Sequence, residues 1–154
     1  MRHIIIDTRE KRPWDFPQNV PVKRQALTAG DYAIEGDYFF AIERKSLQDF
    51  LGTIFADWER FKREIARMNA AHFVAKVVIV EADFEDFLYT MENGEMQPPK
   101  YESTFISPQA ILSRIAELTL MNVSVLFCKN ADCAASMAQY LLLNRLKMLE
   151  KIKI

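Results

Sequence analysis

Hydrophobic and polar residues follow two different periods along this chain, and the period predicts which element each segment forms. Short runs rich in β-branched or aromatic residues predict β-strands. These runs cover residues 3–7, 22–27, 31–35, 38–43, 74–82 and 123–128. Apolar residues spaced three and four positions apart predict amphipathic helices. The helical segments begin after Ser46, at Asp57, at Ser107-Pro108 and at Ala131, and the last runs to about Glu150. This order of elements predicts an α/β fold in which helices cover a mixed sheet.

Four segments carry more specific expectations. Residues 74–82 are almost entirely apolar, which is typical of a strand buried on both faces and predicts a central position in the sheet. Gly36 and Asp37 supply a tight turn between two strands, so Asp37 is predicted to be dispensable. Residues 83–89 predict a short helix, and residues 92–106, which include a glycine and two prolines, predict a long loop.

Composition limits the class of protein without identifying a partner. With 154 residues, 50% of them hydrophobic, the chain fits one domain that buries a core without disulfides. The apolar run near the start is too short for a signal peptide, and no segment approaches the roughly 18 apolar residues of a membrane span. We therefore expect a cytoplasmic protein with no membrane partner. The net charge of -1 does not indicate a nucleic-acid binder, although a local basic stripe is compatible with that total.

Candidate catalytic residues gather in one segment, residues 30–49. Here acidic side chains and a lysine fall at the ends of predicted strands instead of along a solvated helix. Side chains alternate along a strand, so Glu43 and Lys45 point to one side while Arg44 points to the other. Asp31, at the start of the preceding strand, can lie beside Glu43 if the register of the hairpin brings the two together.

These residue types suit the hydrolysis of a phosphodiester. Two carboxylates can hold Mg²⁺, which neutralises the phosphodiester and activates water, while a lysine ammonium stabilises developing negative charge. Lys45 can instead orient the attacking water or, if its pKa falls, deprotonate it, and the sequence does not separate these roles. A simpler interpretation makes Glu43 and Lys45 a charge pair on an edge strand and Asp31 the cap of a turn.

A longer motif favours the catalytic interpretation. Gly30-Asp31, then Glu43-Arg44-Lys45, then three residues and Asp49 resemble the GDXnERKX3D signature of XPF-type nucleases. Asp7-Thr8-Arg9-Glu10 is similar to the first acidic strand end of that family, and Arg60-Phe61 lies in a basic helix after the motif. XPF domains are a branch of the PD-(D/E)xK nuclease superfamily. The resemblance implies a restriction-endonuclease-like mixed central sheet flanked by helices, a Mg²⁺ or Mn²⁺ site, and cleavage of DNA near branch points or junctions of single strand and duplex.

The resemblance also implies a role for each matching position. It makes Asp31 and Glu43 the metal ligands and Lys45 the catalytic lysine. The supporting acids around the site would be Asp7, Glu10 and Asp49. Asp7 can itself be a metal ligand in this scheme. Arg44 would serve the fold or a phosphate through its side chain, and the ion through its backbone carbonyl.

The helix that begins at Asp57 carries a basic face opposite its apolar stripe. Its candidate phosphate contacts are Arg60, Lys62, Arg63 and Arg67. The same pattern is equally consistent with a salt-bridged solvent face, because Glu59 and Glu64 stand four residues from Arg63 and Arg60.

The hypothesis that follows is a metal-dependent DNA endonuclease that cuts branched, flapped or junction DNA. We expect a single XPF-like nuclease domain over residues 1–154, without the helix-hairpin-helix and helicase modules of the family. DNA recognition would then use the surface of this chain, a homodimer formed through its C-terminal helices, or a partner protein. One alternative is a non-catalytic DNA-binding or scaffold module with the same fold. Another is a Holliday-junction resolvase of the same superfamily.

Overall fold

The structure is a computed structural model that describes residues 2–152 of the 154-residue chain. Within that range the chain forms ten β-strands and four α-helices. The strands are β1 (Ile4–Ile6), β2 (Val22–Arg24), β3 (Tyr32–Ile34), β4 (Phe40–Lys45), β5 (Ala75–Val80), β6 (Thr90–Glu92), β7 (Glu95–Gln97), β8 (Lys100–Tyr101), β9 (Thr104–Phe105) and β10 (Val123–Phe127). The helices are α1 (Leu47–Ile54), α2 (Trp58–Ala70), α3 (Pro108–Leu120) and α4 (Ala131–Lys151).

Six of the strands form one mixed sheet in the order β10-β5-β4-β3-β1-β2. β10, β5 and β4 run parallel, β3 is antiparallel to both β4 and β1, and β2 is parallel to β1. Parallel neighbours need crossover connections, which α1 and α2 supply between β4 and β5, and α3 supplies between β5 and β10. β5 lies between two strands, and every residue after its first is buried. The predicted α/β fold with a mixed sheet and the central position of this strand are both confirmed.

Each face of the sheet carries its own hydrophobic core. On one face, Leu142 and Leu146 of α4 share a buried cluster with Tyr32 and Ile79. On the other face, α1, α2 and α3 contribute to a second cluster that includes Phe50. Burial of an aliphatic or aromatic side chain contributes about 1.5–3 kcal/mol relative to leaving it exposed, so the helices hold the sheet from both sides. Among residues 2–152, none of the helices combines the length and apolar character that crossing a lipid bilayer requires.

Side-chain caps define where three of the helices begin. Ser46, Ser107 and Asn130 each accept a hydrogen bond from the backbone N–H three residues further on. Pro108 adds a fixed φ at the first helical position of α3. Ser46 thus starts α1 immediately after β4, as the sequence predicts. β4 itself extends to Lys45, two residues beyond its predicted end, so Lys45 belongs to the strand.

Residues 92–106 do not form the long loop that their glycine and prolines predicted. They contribute to two small antiparallel hairpins, β6-β7 and β8-β9. Asn93 and Gly94 form the first turn with φ of 52° and 78°, and Glu102 and Ser103 form the second with φ of 47° and 66°. Two-residue turns with positive φ match the twist of the flanking strands, and Asn-Gly is a strong signal for them. The prediction was wrong because it weighted the prolines above that dipeptide.

Asp37 corrects the prediction of a dispensable turn residue. Its side chain is 0% exposed, and Arg145 of α4 donates to its carboxylate from Nε at 2.7 Å and from Nη2 at 3.1 Å. A charge is seldom buried without a partner, and removing one member of such a pair is strongly destabilising. The two residues are 108 positions apart in the sequence, so no local pattern indicates the pair.

Candidate active site

The hydrogen bonds between Asp31 and β4 place its carboxylate beside Glu43. The backbone N–H of Asp31 donates to the carbonyl of Ile42 at 2.8 Å. Its Oδ2 accepts from the backbone N–H of Arg44, also at 2.8 Å. Because these bonds join Asp31 to the residues on either side of Glu43, the two carboxylates lie together. The observed register of the hairpin is therefore the one that brings Asp31 beside Glu43.

Gly30 permits this close approach of the chain to β4. Its φ is +75°, in the left-handed region that side chains disfavour, and a Cβ added there would lie 2.9 Å from both the Ile42 carbonyl oxygen and the Ala41 Cβ. A side chain would strain the backbone and push Asp31 away from β4. The glycine before Asp31 is thus a requirement of packing.

β4 presents Glu43 and Lys45 on one face, as the alternation of strand side chains predicts. The Nζ of Lys45 lies 3.3 Å from Oε1 of Glu43. The positive charge of Lys45 also acts on Asp31, where it favours the ionised carboxylate. Two acids and one ammonium group therefore converge at the end of β4.

Burial and mutual repulsion make the two carboxylates costly to ionise together. Burial raises the pKa of Asp31 to about 7, and the negative charge of Glu43 adds to the rise. Burial also raises the pKa of Glu43, against the opposing influence of the Lys45 ammonium. A cation between two such acids would relieve their repulsion.

The donor set fits a hard divalent cation that other ligands help to hold. Within residues 2–152, no three His, Cys, Asp or Glu side chains are grouped closely enough to form a metal site by themselves. Mg²⁺ is commonly bound by one or two carboxylates, with water and substrate phosphate as its remaining ligands. Asp31 and Glu43 provide that number of carboxylates.

A cleft of about 550 Å³ opens between α2 and the sheet beside these acids. Its charged lining residues are Asp7, Arg9, Asp31, Glu43, Glu64, Arg67 and Lys76. Glu64 and Lys76 are not among the site residues predicted from the sequence. Lys76 interrupts the apolar run of β5, which is a signal that could have identified it. Glu64 carries no such signal, because only the packing of α2 on the sheet turns it toward the cleft.

Asp7 lines the cleft, but its carboxylate is already engaged. Nε of Arg9 donates to Oδ2 at 2.8 Å, and the backbone N–H of Leu27 donates to Oδ1 at 2.8 Å. Burial by itself raises the pKa of Asp7, but these hydrogen bonds outweigh it, and the net pKa is lowered. The Asp7 side chain thus links the end of β1 to Leu27, in the segment before Gly30, next to the Asp31–Glu43 pair.

Arg44 and Glu10 meet on the opposite side of β4 from Glu43. The guanidinium of Arg44 pairs with Glu81, lies 3.4 Å from the carboxylate of Glu10 and donates to the carbonyl of Arg12 at 2.6 Å. The side chain of Arg44 therefore fastens the N-terminal loop to the sheet. The carboxylate of Glu10 belongs to this network, and its negative charge also raises the pKa of both Asp31 and Glu43.

The family of the chain follows from a comparison with family models. The model described as the ERCC4 domain matches residues 6–141. The chain belongs to the ERCC4 domain family. A solved structure of XPF from Aeropyrum pernix resembles this ERCC4 domain with a TM-score of 0.68 and 20% sequence identity, over 97% of this chain and 68% of that chain. A structure of XPF from Aeropyrum pernix in complex with DNA gives a TM-score of 0.65 and 20% identity, over 100% of this chain and 68% of that chain.

A search of curated protein sequences finds no match to this ERCC4 domain. The resemblance to XPF-type nuclease domains is nevertheless confirmed by the family match and by the structural likeness. The mixed central sheet flanked by helices that this resemblance implied is confirmed as well. The ERCC4 domain thus has the architecture of a nuclease-type domain.

α2 of this ERCC4 domain shows how the predicted basic face is divided. Arg60 pairs with Asp57 at 3.4 Å, and Lys62 pairs with Glu59 at 3.1 Å, both at three-residue spacing. The four-residue pairs considered from the sequence do not form in the part of the chain that the structure describes. Arg60 and Lys62 therefore fit the interpretation of a salt-bridged solvent face.

Arg63 and Arg67 differ from those two residues. Neither forms an ion pair within 4 Å among residues 2–152, and Arg67 lines the cleft that contains Asp31 and Glu43. Glu64, which the sequence offered as a partner for the basic face, lines the cleft as well. Arg63 and Arg67 are thus the members of the basic face that are available to bind phosphate.

Asp49, the last residue of the family motif, contributes to the start of α1. It lies in the first turn of α1, is exposed, and donates its backbone N–H to Oγ of Ser46 at 3.1 Å. A negative charge at this position interacts favourably with the positive end of the helix dipole. Asp49 therefore stabilises the start of α1, directly after Lys45.

Proposed function

We propose that this ERCC4 domain is a divalent-metal-dependent DNA endonuclease that hydrolyses phosphodiester bonds in branched, flapped or junction DNA. The convergence of Asp31, Glu43 and Lys45, with both carboxylates lining the cleft, carries the proposal. Family membership supports it, and the XPF protein of similar fold forms a complex with DNA.

Asp31 and Glu43 would hold the ion, Mg²⁺ or Mn²⁺. When bound, such an ion neutralises a phosphodiester and activates water for attack. Both carboxylates are positioned before substrate binds. The backbone N–H of Arg44 donates to Oδ2 of Asp31 at 2.8 Å, and Glu43 is held by its place in β4. Little reorganisation is then needed when substrate arrives.

Lys45 supplies the positive charge for the reacting phosphate. Its ammonium, 3.3 Å from Glu43, is held where the phosphate would approach the two acids. Lys45 therefore stabilises charge developing on the phosphate and orients the attacking water. Arg63 and Arg67 would bind flanking phosphates of the DNA strand.

The decisive experiment measures cleavage of labelled flap, fork, four-way-junction and linear duplex DNA with Mg²⁺, Mn²⁺ or chelator. We expect metal-dependent cleavage by the wild type that favours a branched DNA over the linear duplex. Asp31→Asn and Lys45→Met should each lower the cleavage rate by a factor on the order of 10² or more. Asn keeps an oxygen for the Arg44 N–H, and Met keeps the length of lysine, so the fold should persist. Asp15→Asn and Lys147→Met, which change exposed charges on other surfaces, are the matched controls.

Each outcome has a distinct meaning. Cleavage that survives both Asp31→Asn and Lys45→Met would show that the site is placed wrongly. DNA binding without cleavage by the wild type in either metal would favour the non-catalytic module of the same fold. Cleavage restricted to four-way junctions would favour the resolvase alternative.

A further inference from the structure

Lys76 is a largely buried lysine whose ammonium group the proposed cleavage mechanism does not use. It stands on β5 between Ala41 of β4 and Val123 of β10, and only 4% of its surface is exposed. Within residues 2–152 it makes no hydrogen bond or ion pair, and burial lowers its pKa. In the same part of the chain, no fully buried side-chain nitrogen or oxygen lacks a hydrogen-bond partner. The Nζ of Lys76 must therefore keep its remaining exposure through the cleft that it lines.

The walls of the cleft are mainly apolar on the side away from the acids. α2 contributes Phe61, Ile65 and Met68, the small Ala41 leaves space beside Lys76, and Phe73 lies further along the wall. A volume of about 550 Å³ falls in the range of small-molecule sites, which combine apolar walls with a few polar groups. A flat heteroaromatic ring with hydrogen-bond acceptors on its edge fits this combination.

The charges around the cleft disfavour an anion as the occupant. Arg9 and Asp7 are paired with each other, so the remaining charged lining residues are the acids Asp31, Glu43 and Glu64 and the bases Arg67 and Lys76. The acids are in excess, so a phosphate drawn past Arg67 toward the Lys76 ammonium would meet net repulsion. A neutral ring avoids that repulsion and still satisfies the ammonium through a carbonyl oxygen. The guanine, thymine and cytosine rings carry such an oxygen, whereas adenine does not.

We propose that this cleft accepts an unstacked nucleobase of the DNA strand being cut, and that Lys76 donates a hydrogen bond to a carbonyl oxygen of that base. The proposal rests on the proposed function in taking DNA as the ligand. The base belongs to a nucleotide next to the reacting phosphate, because the cleft is continuous with Asp31 and Glu43. An unpaired nucleotide enters at lower cost than a paired one, since no base pair has to be broken.

Mononucleotide binding tests this subsite without any cleavage. The isotopically labelled full chain is titrated in chelator with thymidine, deoxyguanosine and deoxyadenosine 5′-monophosphates and with 2-deoxyribose 5-phosphate, and amide shifts are followed by NMR. We expect thymidine and deoxyguanosine monophosphates to shift β5 and α2 resonances and to bind at least fivefold more tightly than the other two probes. Lys76→Met should remove that advantage. Lys147→Met, which removes an exposed lysine of α4, should leave it intact.

Several results would overturn the base subsite. Equal binding of 2-deoxyribose 5-phosphate would mean a phosphate site, and an unchanged base preference in Lys76→Met would remove the lysine from recognition. The absence of shifts in the cleft with every probe would exclude the subsite. If Lys76→Met does not fold, Ala71→Phe narrows the cleft from its rim and should abolish binding of thymidine monophosphate; undiminished binding would contradict the proposal. Base binding by a wild type that cuts no DNA would refute only the nuclease activity.

Discussion

Gly30 shows how one residue without a side chain can position a neighbouring carboxylate. Its φ is positive, and a Cβ added at this position would lie 2.9 Å from the Ile42 carbonyl oxygen. Only a hydrogen atom fits in that space. The Gly-Asp pair of the motif therefore has a physical explanation that does not involve contact with substrate. The glycine brings the chain close to β4, and the aspartate uses that closeness to reach the Arg44 N–H.

Gly30→Ala should destabilise the domain and lower its cleavage rate. An alanine at positive φ costs about 1–2 kcal/mol, and the overlap with β4 adds to that cost. Gly94→Ala is the matched control, because Gly94 also has positive φ, at +78°, but its added Cβ would meet nothing within 4 Å. Urea unfolding should show a clearly larger loss for Gly30→Ala than for Gly94→Ala. Equal losses would mean that the contact with β4 has no energetic role.

The Asp37–Arg145 pair joins the β3–β4 hairpin to α4. We predict that Asp37→Ala lowers the free energy of unfolding by about 3–5 kcal/mol, because it leaves the Arg145 guanidinium buried without its counter-charge. Equilibrium unfolding in urea measures the loss. Asp37→Ala combined with Arg145→Met should recover part of the stability, since no unpaired charge remains. A change as small as that of Glu35→Ala, which breaks an exposed pair with Lys23, would contradict the prediction.

At the scale of elements, the side chains of α2 fall into three groups with different surroundings. Trp58 and Ile65 face the core, Arg60 and Lys62 form local pairs at the surface, and Arg67 borders the cleft. One helical stripe of basic residues therefore divides into a part that forms local ion pairs and a part that forms none within residues 2–152.

Arg63→Ala combined with Arg67→Ala should weaken DNA binding more than Arg60→Ala combined with Lys62→Ala. The second pair is already neutralised by neighbouring acids, whereas the first can release counterions from the DNA. We expect the slope of log K against log salt concentration to become shallower by about 2 in the first variant. Fluorescence anisotropy at several salt concentrations measures both variants. Equal slopes would show that the local ion pairs do not decide which residues bind.

α4 bears on the homodimer expected from the sequence. Its exposed side includes Met137, Tyr140 and Met148, with 39%, 64% and 57% of their surfaces exposed. A docking surface for a second copy through this helix stays a prediction. The same helix buries Leu142 and Leu146 on the sheet. Part of its apolar content is therefore explained by the core, without a partner.

At the scale of the whole molecule, stability is concentrated in the six-stranded sheet. β4 and β5 pair over six residues and are buried between two helical layers. Among the strands that the structure describes, none pairs with the β6-β7 hairpin, and Met91 and Met96 are each 69% exposed. A two-stranded hairpin is only marginally stable by itself.

Native-state amide hydrogen exchange should therefore separate these two regions. The amides of Val78 and Ile79 should exchange only through global unfolding, with protection that matches the unfolding free energy measured in urea. The paired amides of β6 and β7 should exchange through local opening at much lower free energy. Equal protection in both regions would mean that the hairpin opens only with the sheet.

Most of the fold, and the arrangement of Glu43 and Lys45 within the site, could be predicted from local patterns. The apolar run of β5 indicated its central place, Ser46 indicated the start of α1, and strand alternation put Glu43 and Lys45 on one face. The hairpins within residues 92–106 were missed because the prolines outweighed Asn93-Gly94. That error was avoidable, since the signal is contained in two adjacent residues.

Other features had no local signal at all. Whether Asp7 is free to bind an ion depends on Arg9 and on Leu27, which lies 20 residues further on. The role of Arg44 depends on Glu81, 37 residues away. Such contacts are set by how loops and elements pack, and a pattern of neighbouring residues does not encode them.

By itself, the sequence determined the order of the elements, the starts of α1 and α3 and the shared face of Glu43 and Lys45, because each depends on backbone preferences and side-chain periods within a few residues. Only the tertiary structure decided that Asp37 is buried, that Glu10 joins the network around Arg44, and that Lys76 opens into a cleft. These outcomes depend on distances between segments far apart in the chain, and those distances exist only after the helices have packed on the sheet.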